Sequence, residues 1–318
     1  MSMPTDPRLP ASSPRESRPA LQIIRGGKCA VPVPTARVLA VASGKGGVGK
    51  TSLALNLALA LAALDRRVLL VDGDLALGKL DLLLGEEPAA NLGHVLNGEC
   101  AVEQAIFTGP SGVRVLASPC GRDEFAVLDA ARRERFCAAM ARAATAADIV
   151  ILDLATGIGP NSIELARRAG EIVVVTTPEP TASIDAYALI KILGGVRRAA
   201  PRIIVNRARS AEEAAETYAR LARTASRHLH AGLVSWGHVL EDTAVEDAVR
   251  RQIPFLLGAP EAPASLCVRE VARKLLCGDR PDETDRVPLP ANSSPASPSL
   301  PRSAGPSPIA ARREWEAA

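Results

Sequence analysis

A run of glycines interrupted by two lysines lies near the start of this sequence, directly after an apolar stretch. Residues 44–51 read Gly-Lys-Gly-Gly-Val-Gly-Lys-Thr, which fits the phosphate-binding pattern G-x-x-x-x-G-K-[ST] at each fixed position. Backbone N–H groups of such a loop turn inward around a phosphate, and the helix that follows points its N-terminus at the same phosphate. Lys50 would add a full charge, and the Thr51 hydroxyl suits Mg²⁺. The residues predicted to contact a nucleotide are Gly44, Lys45, Gly46, Gly47, Val48, Gly49, Lys50, Thr51 and Ser52.

Acidic residues stand at the ends of two further apolar stretches. Asp72 and Asp74 follow residues 68–71, and Asp153 follows residues 149–152. Ligands bind at the carboxyl ends of parallel strands, so all three carboxylates are candidates for this edge. Asp72 and Asp74 are candidates for contacts with Mg²⁺ or water, with capping of the next helix or turn as the alternative. Asp153 has the form of a Walker B element, which would accept hydrogen bonds from Mg²⁺-bound water or from Thr51.

Strands and helices must alternate to place these residues together. The apolar pattern predicts strands at residues 38–43, 67–71, 112–117, 148–153, 171–176, 202–206 and 232–239. It predicts helices at residues 50–64, 91–96, 102–106, 127–144, 161–168, 181–197, 211–228, 243–251 and 263–277. The fold class is therefore α/β, with a doubly wound, mostly parallel β-sheet flanked by helices. Residues 53–64, the most apolar stretch, are too few to cross a bilayer and are predicted to be a buried helix.

Composition sets the limits of the domain and of its partners. The 318 residues are 47% hydrophobic but only 3% aromatic, so the core must consist of Leu, Val, Ile and Ala. A net charge of +3 does not by itself indicate nucleic acid, and the six cysteines form no C-x-x-C pair. Residues 1–36 and 279–318 are rich in Pro and Ser and are predicted to be disordered arms of a domain at 37–278. The first 20 residues contain no apolar run typical of a secretory signal, which favours a cytoplasmic location.

Lys45, a second lysine directly after the first glycine, distinguishes this loop from the general P-loop. With it, the sequence resembles the deviant Walker A ATPases of the MinD/ParA family across nearly all of residues 37–277. The matching segments are residues 45–52, 71–74, 78–81, 151–153, 205–207 and 253–255. The resemblance implies ATP and Mg²⁺ as cofactors and an ATP-dependent homodimer in which ATP is sandwiched between subunits.

The same resemblance implies a role for each matching residue. Lys50 and the loop amides would hold the β- and γ-phosphates, and Thr51 and Asp153 would position Mg²⁺. Asp74 would lie at the metal and orient the attacking water. Lys45 would reach across to the partner's phosphates, and Asn206 would contact adenine.

Within this family, residues 91–100 and 175–191 are similar to segments of the flagellar number and placement regulators FlhG (FleN). This implies a weak ATPase, stimulated by a partner such as a flagellar GTPase or regulator, that controls flagella or another polar or surface assembly.

The sequence differs from the family pattern in three places. Thr156 stands after the Walker B element where the family has a small residue, which puts the geometry of the family's second switch segment in doubt. The N-terminal arm lacks the D-Q-A-x-x-L-R-type motif by which flagellar members stimulate a partner GTPase. The C-terminal tail lacks a basic amphipathic helix, so peripheral binding to the inner face of the membrane stays open.

The sequence is also compatible with other function classes. The main alternative is a ParA-like partition ATPase that binds nonspecific DNA as an ATP dimer, and DNA retention that fades steeply with salt would favour it. The basic face of such a protein would consist of Arg197, Arg198, Arg207, Arg209, Arg220, Arg223 and Arg227. The alternative is that these arginines are ordinary solvent-exposed helix positions that bind no ligand. An iron–sulfur carrier would need a close pair of cysteines, which the sequence lacks. A scaffold that binds ATP without turnover is the remaining class, and a phosphate-release assay would identify it.

Overall fold

The computed structural model describes residues 36–194, 200–230 and 232–277. The described strands are β1 (Arg37–Ala42), β2 (Val68–Gly73), β3 (Ile106–Thr108), β4 (Arg114–Leu116), β5 (Ile149–Leu154), β6 (Glu171–Thr176), β7 (Arg202–Ala208) and β8 (Val234–Leu240). The described helices are α1 (Lys50–Ala62), α2 (Leu80–Leu84), α3 (Leu92–Asn97), α4 (Val102–Ala105), α5 (Ala130–Ala144), α6 (Pro160–Arg168), α7 (Pro180–Gly194), α8 (Ala211–Leu229), α9 (Thr243–Arg250), α10 (Phe255–Gly258) and α11 (Pro263–Cys277).

All eight described strands belong to one sheet, in the order β3-β4-β2-β5-β1-β6-β7-β8. β3 pairs antiparallel with β4, and the other neighbouring pairs are parallel. β1 lies between β5 and β6, and the chain leaves it first toward β2 on one side and later toward β6 on the other. In open sheets of this kind, ligands bind where the strand order reverses. The predicted fold class is confirmed.

Apolar side chains of the central strands point alternately to the two faces of the sheet. Val38, Ala40 and Ala42 of β1 belong to one buried cluster, with residues of α3, α5, α6, α7 and α8. Leu39 and Val41 belong to the other cluster, with residues of α1, α10 and α11. α1 is buried from Leu53 to Leu61, as predicted for the most apolar stretch. Helices on both faces explain why these strands read as continuous apolar runs.

The differences from the predicted elements lie mainly at ends and in short segments. α5 begins at Ala130, not at residue 127, because the Asp129 side chain accepts a hydrogen bond from the Arg132 N–H and caps the helix there. Residues 106–108 form the antiparallel strand β3, whereas the apolar pattern predicts that residue 106 ends a helix and predicts no element at residues 107 and 108. α2 and α10, of five and four residues, were not predicted as helices. The last three residues predicted for α7, 195–197, and both predicted disordered arms apart from residue 36 lie outside the described residues.

A cluster of charged and aromatic side chains joins the amino ends of the strands. Glu171 of β6 accepts hydrogen bonds from the Arg37 guanidinium of β1, and the distance from Arg37 Nη2 to Glu171 Oε2 is 2.6 Å. The same oxygen lies 3.0 Å from the Arg202 guanidinium of β7. Both guanidinium groups lie over the ring of Trp236, which is 1% exposed. Arg37 Nη1 also donates to the carbonyl of Leu275 in α11, 2.5 Å away. β1 and α11 therefore meet at the edge of the sheet opposite the P-loop.

Candidate P-loop nucleotide site

Three glycines shape the loop between β1 and α1 for different reasons. Gly47 and Gly49 have φ angles of 79° and 83°, in the left-handed region that favours glycine. Gly49 is the residue before α1, so the helix begins at Lys50. Gly44 lies against α7, where an added β-carbon would be 2.2 Å from the carbonyl oxygen of Asp185. The loop is therefore fixed by its own backbone angles and by close contact with α7.

Lys50, Thr51 and Asp153 are brought together at the start of α1, as the motifs predicted. Lys50 Nζ lies 2.6 Å from Asp153 Oδ1 and 3.4 Å from Thr51 Oγ1. The Lys50 and Asp153 side chains are 6% and 1% exposed. Burial raises the pKa of Asp153, and the charge of Lys50 with hydrogen bonds from Lys50 and Thr51 opposes this effect. The Lys50 ammonium, the Thr51 hydroxyl and the Asp153 carboxylate thus lie together in a site that is largely excluded from solvent.

Asp72 and Asp74, which the sequence could not distinguish, have different surroundings. Asp72 is buried beside Asp153, its partner in the register of β2 and β5. Its oxygens accept hydrogen bonds from the N–H groups of Asp74 (3.0 Å), Lys79 (2.8 Å) and Leu80 (3.2 Å). Burial, with the charge of Asp153, raises the pKa of Asp72 to about 7. Asp72 therefore braces the loop before α2, as the capping alternative proposed.

Asp74 is the less buried carboxylate of this pair. It is half-buried, and one oxygen accepts a hydrogen bond from the Leu77 N–H at 3.2 Å. Its charge acts on Asp153 and adds to the raised pKa of that group. Asp74 thus lies close enough to Asp153 for its charge to act on that group.

Lys45 contacts a different part of the chain from Lys50. Its Nζ lies 2.5 Å from Glu179 Oε2 and 2.9 Å from Thr181 Oγ1, both at the start of α7. The Lys45 and Glu179 side chains are 35% and 63% exposed. A hydrogen bond from Lys45, together with its charge, lowers the pKa of Glu179. Glu179 and Thr181 were not predicted as site residues, although both lie in the segment that resembles the flagellar subgroup.

Asn206, predicted to contact adenine, forms a hydrogen bond with the P-loop in the described structure. Its Nδ2 donates to the carbonyl of Val48 at 2.7 Å, and the residue is 9% exposed. A β-carbon on Gly49 would lie 2.4 Å from the same nitrogen. Sequence reasoning missed this contact, because nothing local in β7 indicates which loop its end will touch.

Two cavities meet at the loop. One, of about 400 Å³, lies between the P-loop and α9, and its lining includes Ser52, Asn206 and Asp242. The other, of about 580 Å³, is lined by both signs of charge, from Lys45, Glu179, Arg207, Arg209, Glu213 and Glu241. Arg207 has a φ of 56°, an uncommon value for a residue other than glycine. The first cavity offers space for a base beside Asn206, and the second opens at Lys45.

The segment after β5 accommodates the unexpected threonine. Thr156 is exposed, and its Cγ2 would lie 4.0 Å from a β-carbon added to Gly46. The N–H of the next residue, Gly157, donates to the carbonyl of Ser43 at 2.8 Å, with a φ of 86° at Gly157. Thr156 therefore makes no clash with the P-loop in this arrangement.

The described arginines named for the DNA alternative are spread along the length of α8 and the end of β7. Arg207 and Arg209 line the cavity at Lys45 together with Glu213 and Glu241. Arg223 and Arg227 are exposed near the other end of α8, a 19-residue helix about 28 Å long. Arg220 is half-buried, and Arg197 and Arg198 lie outside the described residues.

Within residues 36–194, 200–230 and 232–277, no cluster of three or more His, Cys, Asp or Glu side chains is arranged to bind a metal ion. Among the same residues, no helix has the length and hydrophobicity needed to cross a membrane. The cysteines in this part of the chain, Cys100, Cys120, Cys137, Cys267 and Cys277, are free thiols.

A parallel sheet whose central strand leads through a glycine loop into a helix, with Lys50, Thr51 and Asp153 in contact, defines a P-loop nucleotide-binding protein. Residues 39–255 match the CobQ/CobB/MinD/ParA nucleotide binding domain, and the chain belongs to this family. The predicted family is thereby confirmed.

Relatives within the family include bacterial flagellar proteins. The chain is 37% identical over 259 residues to the antiactivator FleN of Pseudomonas aeruginosa, covering 80% of this chain and 89% of FleN. It is 29% identical over 193 residues to the flagellum site-determining protein YlxH of Helicobacter pylori, covering 61% of this chain and 65% of YlxH. The septum site-determining protein MinD from Pyrococcus horikoshii, solved with Mg-ADP, superposes with a TM-score of 0.62 at 24% identity, covering 76% of this chain and 98% of MinD. The last comparison supports the fold.

Proposed function

We propose that this chain is a molecular switch that dimerises when it binds ATP, hydrolyses ATP slowly and is reset by hydrolysis. The observation that carries the proposal is the position of Lys45. This lysine belongs to the P-loop, yet it contacts Glu179 and Thr181 at the surface, whereas Lys50 pairs with Asp153 inside the site. A second loop lysine that its own site does not use suits a role across an interface.

The residues at the start of α1 fit a magnesium nucleotide. A phosphate in the loop would offer Lys50 a second anion beside Asp153, along with the loop N–H groups and the N-terminus of α1. The Thr51 hydroxyl and the Asp153 carboxylate are oxygen donors of the kind that Mg²⁺ prefers, and Asp74 lies near them. Mg²⁺, when bound, would neutralise phosphate charge. The cavity beside Asn206 would hold adenine.

Hydrolysis at this site would be slow, because the described residues offer little to activate water. We assign the orientation of the attacking water to Asp74, which is half-buried and has one carboxylate oxygen bonded to the loop backbone. Positioning and charge stabilisation dominate phosphoryl transfer, so a site completed by a partner would be faster than the isolated chain. A slow reaction suits a switch whose lifetime in the ATP state carries the signal.

Electrostatics supports a dimer that forms only with ATP. Two bound nucleotides facing each other would place several negative charges close together, and a lysine from each side would offset their repulsion. Lys45 would supply that charge to the partner's phosphates. Loss of the γ-phosphate would remove part of the attraction between Lys45 and the partner's nucleotide, so the nucleotide state would set the oligomeric state.

The biological role that we propose is control of the number or placement of flagella, or of another polar or surface assembly. Support comes from the similarity to FleN and to the flagellum site-determining YlxH. Such a switch would act in the cytoplasm, through a protein partner of the assembly that recognises the dimer. Deleting the gene and counting flagella per cell tests the role, and an unchanged number and position would contradict it.

Light scattering after size-exclusion chromatography tests the mechanism directly. Asp74→Ala should accumulate an ATP-dependent dimer because hydrolysis is blocked, and Lys45→Ala should stay monomeric with ATP. If Asp74→Ala forms no dimer and Lys45→Ala dimerises normally, the sandwich mechanism is wrong. Phosphate release, measured in parallel, separates a slow ATPase from a scaffold that only binds ATP.

A further inference from the structure

A small apolar cavity lies between α5, α6 and the sheet, near the amino ends of β1 and β5. Its volume is about 40 Å³, and its lining includes Val38, Met140, Ala141, Ala144, Val150 and Leu165. At one end, Arg168 Nη1 donates to Cys137 Sγ at 3.2 Å, and Arg168 Nε donates to Glu164 Oε1 at 2.9 Å. The described residues that line the cavity include none of those predicted to contact a nucleotide. The proposed switch therefore does not account for it.

The volume and lining of the cavity suit a small apolar group. A water-sized group needs about 10–15 Å³ of such space, so a cavity of about 40 Å³ holds about three non-hydrogen atoms. A water would find too few polar partners among these mainly apolar side chains. An apolar side chain, by contrast, would leave solvent and gain contacts on several sides. The isopropyl group of a valine has this size and this chemistry.

The chain itself passes beside the cavity as it enters β1. Ala36 and Val38 belong to the same buried cluster as Met140 and Leu165, and Val38 lines the cavity. Residues 1–35, which lie outside the described part of the chain, continue from this point. Val33 is three residues before Ala36, which limits the distance between their backbones to about 11 Å.

We propose that residues 31–34, Val-Pro-Val-Pro, dock against α5 and α6 and that the side chain of Val33 fills the cavity. The docked segment fixes the base of the N-terminal arm at the amino edge of the sheet, and the residues before it extend from the α5–α6 face. This inference does not depend on the proposed dimeric switch. It also shortens the arm that the sequence predicts to be disordered.

The composition of residues 31–34 suits docking on a helical surface. Both valines precede a proline, which favours an extended backbone in advance and lowers the conformational entropy lost on docking. The two prolines have no N–H group, so these positions can lie against apolar side chains without leaving a donor unpaired.

The other apolar segment of the arm, residues 21–24 with the sequence Leu-Gln-Ile-Ile, fits less well. It ends 12 residues before Ala36, so docking it would close a longer loop at a greater entropic cost. Its leucine and isoleucine side chains also have four carbon atoms each, one more than valine. Both differences favour Val33 as the occupant.

Alkylation of Cys137 by iodoacetamide is the first test, with each cysteine followed by mass spectrometry in the nucleotide-free chain. Cys137 is half-buried and lines the cavity, so a docked Val33 would shield it. Val33→Ser removes the isopropyl group and should raise the undocked fraction, and with it the rate at Cys137, about tenfold. Cys120, an exposed thiol in the loop after β4, should react at the same rate in both chains.

Leu21→Ser is the matched control, because it removes a larger apolar side chain from the same arm. It should leave the rate at Cys137 unchanged. Equal rates at Cys137 in the parent and in Val33→Ser would overturn the proposal. A rise with Leu21→Ser as large as that with Val33→Ser would also overturn it, because the cover would then not be specific to residues 31–34.

A disulfide cross-link tests the position of Val33 directly. In a Cys29→Ser background, Val33→Cys should bring a thiol within reach of Cys137, and oxidised glutathione should link the two within one chain by thiol–disulfide exchange. Leu21→Cys in the same background should give no such link. Failure of Val33→Cys to link to Cys137 overturns the proposal. A link between two chains, visible as a covalent dimer on a non-reducing gel, overturns it as well, because a second copy would then be the occupant.

Discussion

Replacing Gly44 by alanine tests the contact that places the P-loop against α7. The new β-carbon would lie 2.2 Å from the carbonyl oxygen and 2.3 Å from the carbonyl carbon of Asp185, and both atoms are backbone. A flexible side chain could move aside, but a helix backbone cannot shift by about 1 Å without losing its packing. Overpacking of this kind costs about 1–3 kcal/mol, and we expect the upper end.

Urea unfolding of the nucleotide-free chain measures this effect. With a slope of about 3 kcal/mol per molar urea, a loss of about 3 kcal/mol lowers the midpoint by about 1 M. The matched control is Gly46→Ala in the same loop, where an added β-carbon would lie 4.0 Å from Thr156 Cγ2, an ordinary van der Waals distance. That variant should unfold within about 0.3 M of the parent. Equal midpoints for the two variants would refute the argument that α7 confines the loop at Gly44.

Two further predictions concern Asp72 and Asn206, whose hydrogen bonds hold loops of the site in place. Burial raises the pKa of Asp72 to about 7 in the folded chain, well above the usual range of an aspartate. Its contribution to the free energy of unfolding is therefore full below about pH 4 and is lost as pH rises to about 7. Asp72→Asn should remove this decline from urea titrations across that range, and an identical pH dependence in the variant would contradict the assignment. Asn206→Ala loses the hydrogen bond to Val48, so binding of a fluorescent ATP analogue should weaken about fivefold. If GTP and ATP weaken equally, Asn206 acts through the loop alone, whereas a larger loss for ATP supports the adenine contact; unchanged affinity for both would exclude either role.

The fold and the centre of the site could be predicted because their signals are local. A glycine loop between an apolar strand and a helix constrains its own backbone, and it led to Lys50 and Thr51. An apolar stretch that ends in an acidic residue led to Asp153. The short antiparallel strand β3 was missed because three residues carry no period. Its strand state depends on pairing with β4, which no local pattern of residues 106–108 reveals.

The remaining site residues depend on contacts between distant parts of the chain. Asp72 and Asp74 look equivalent in sequence, and only burial beside Asp153 and the approach of Lys79 distinguish them. Glu179 is 134 residues from Lys45, and Asn206 is 158 residues from Val48. Neither pair has a spacing or residue type that would single it out before the sheet is assembled.

The bond between Arg37 and the carbonyl of Leu275 bears on how the domain could be attached to other molecules. β1 and α11 meet there, at the edge of the sheet away from the P-loop. A fluorescent protein, a tether or a surface linkage joined before residue 36 or after residue 277 would be held at that one corner and would leave the face around Lys45 free. The two positions are also close enough for a short peptide to join them, so the domain is suited to circular permutation, with new ends opened in an exposed loop.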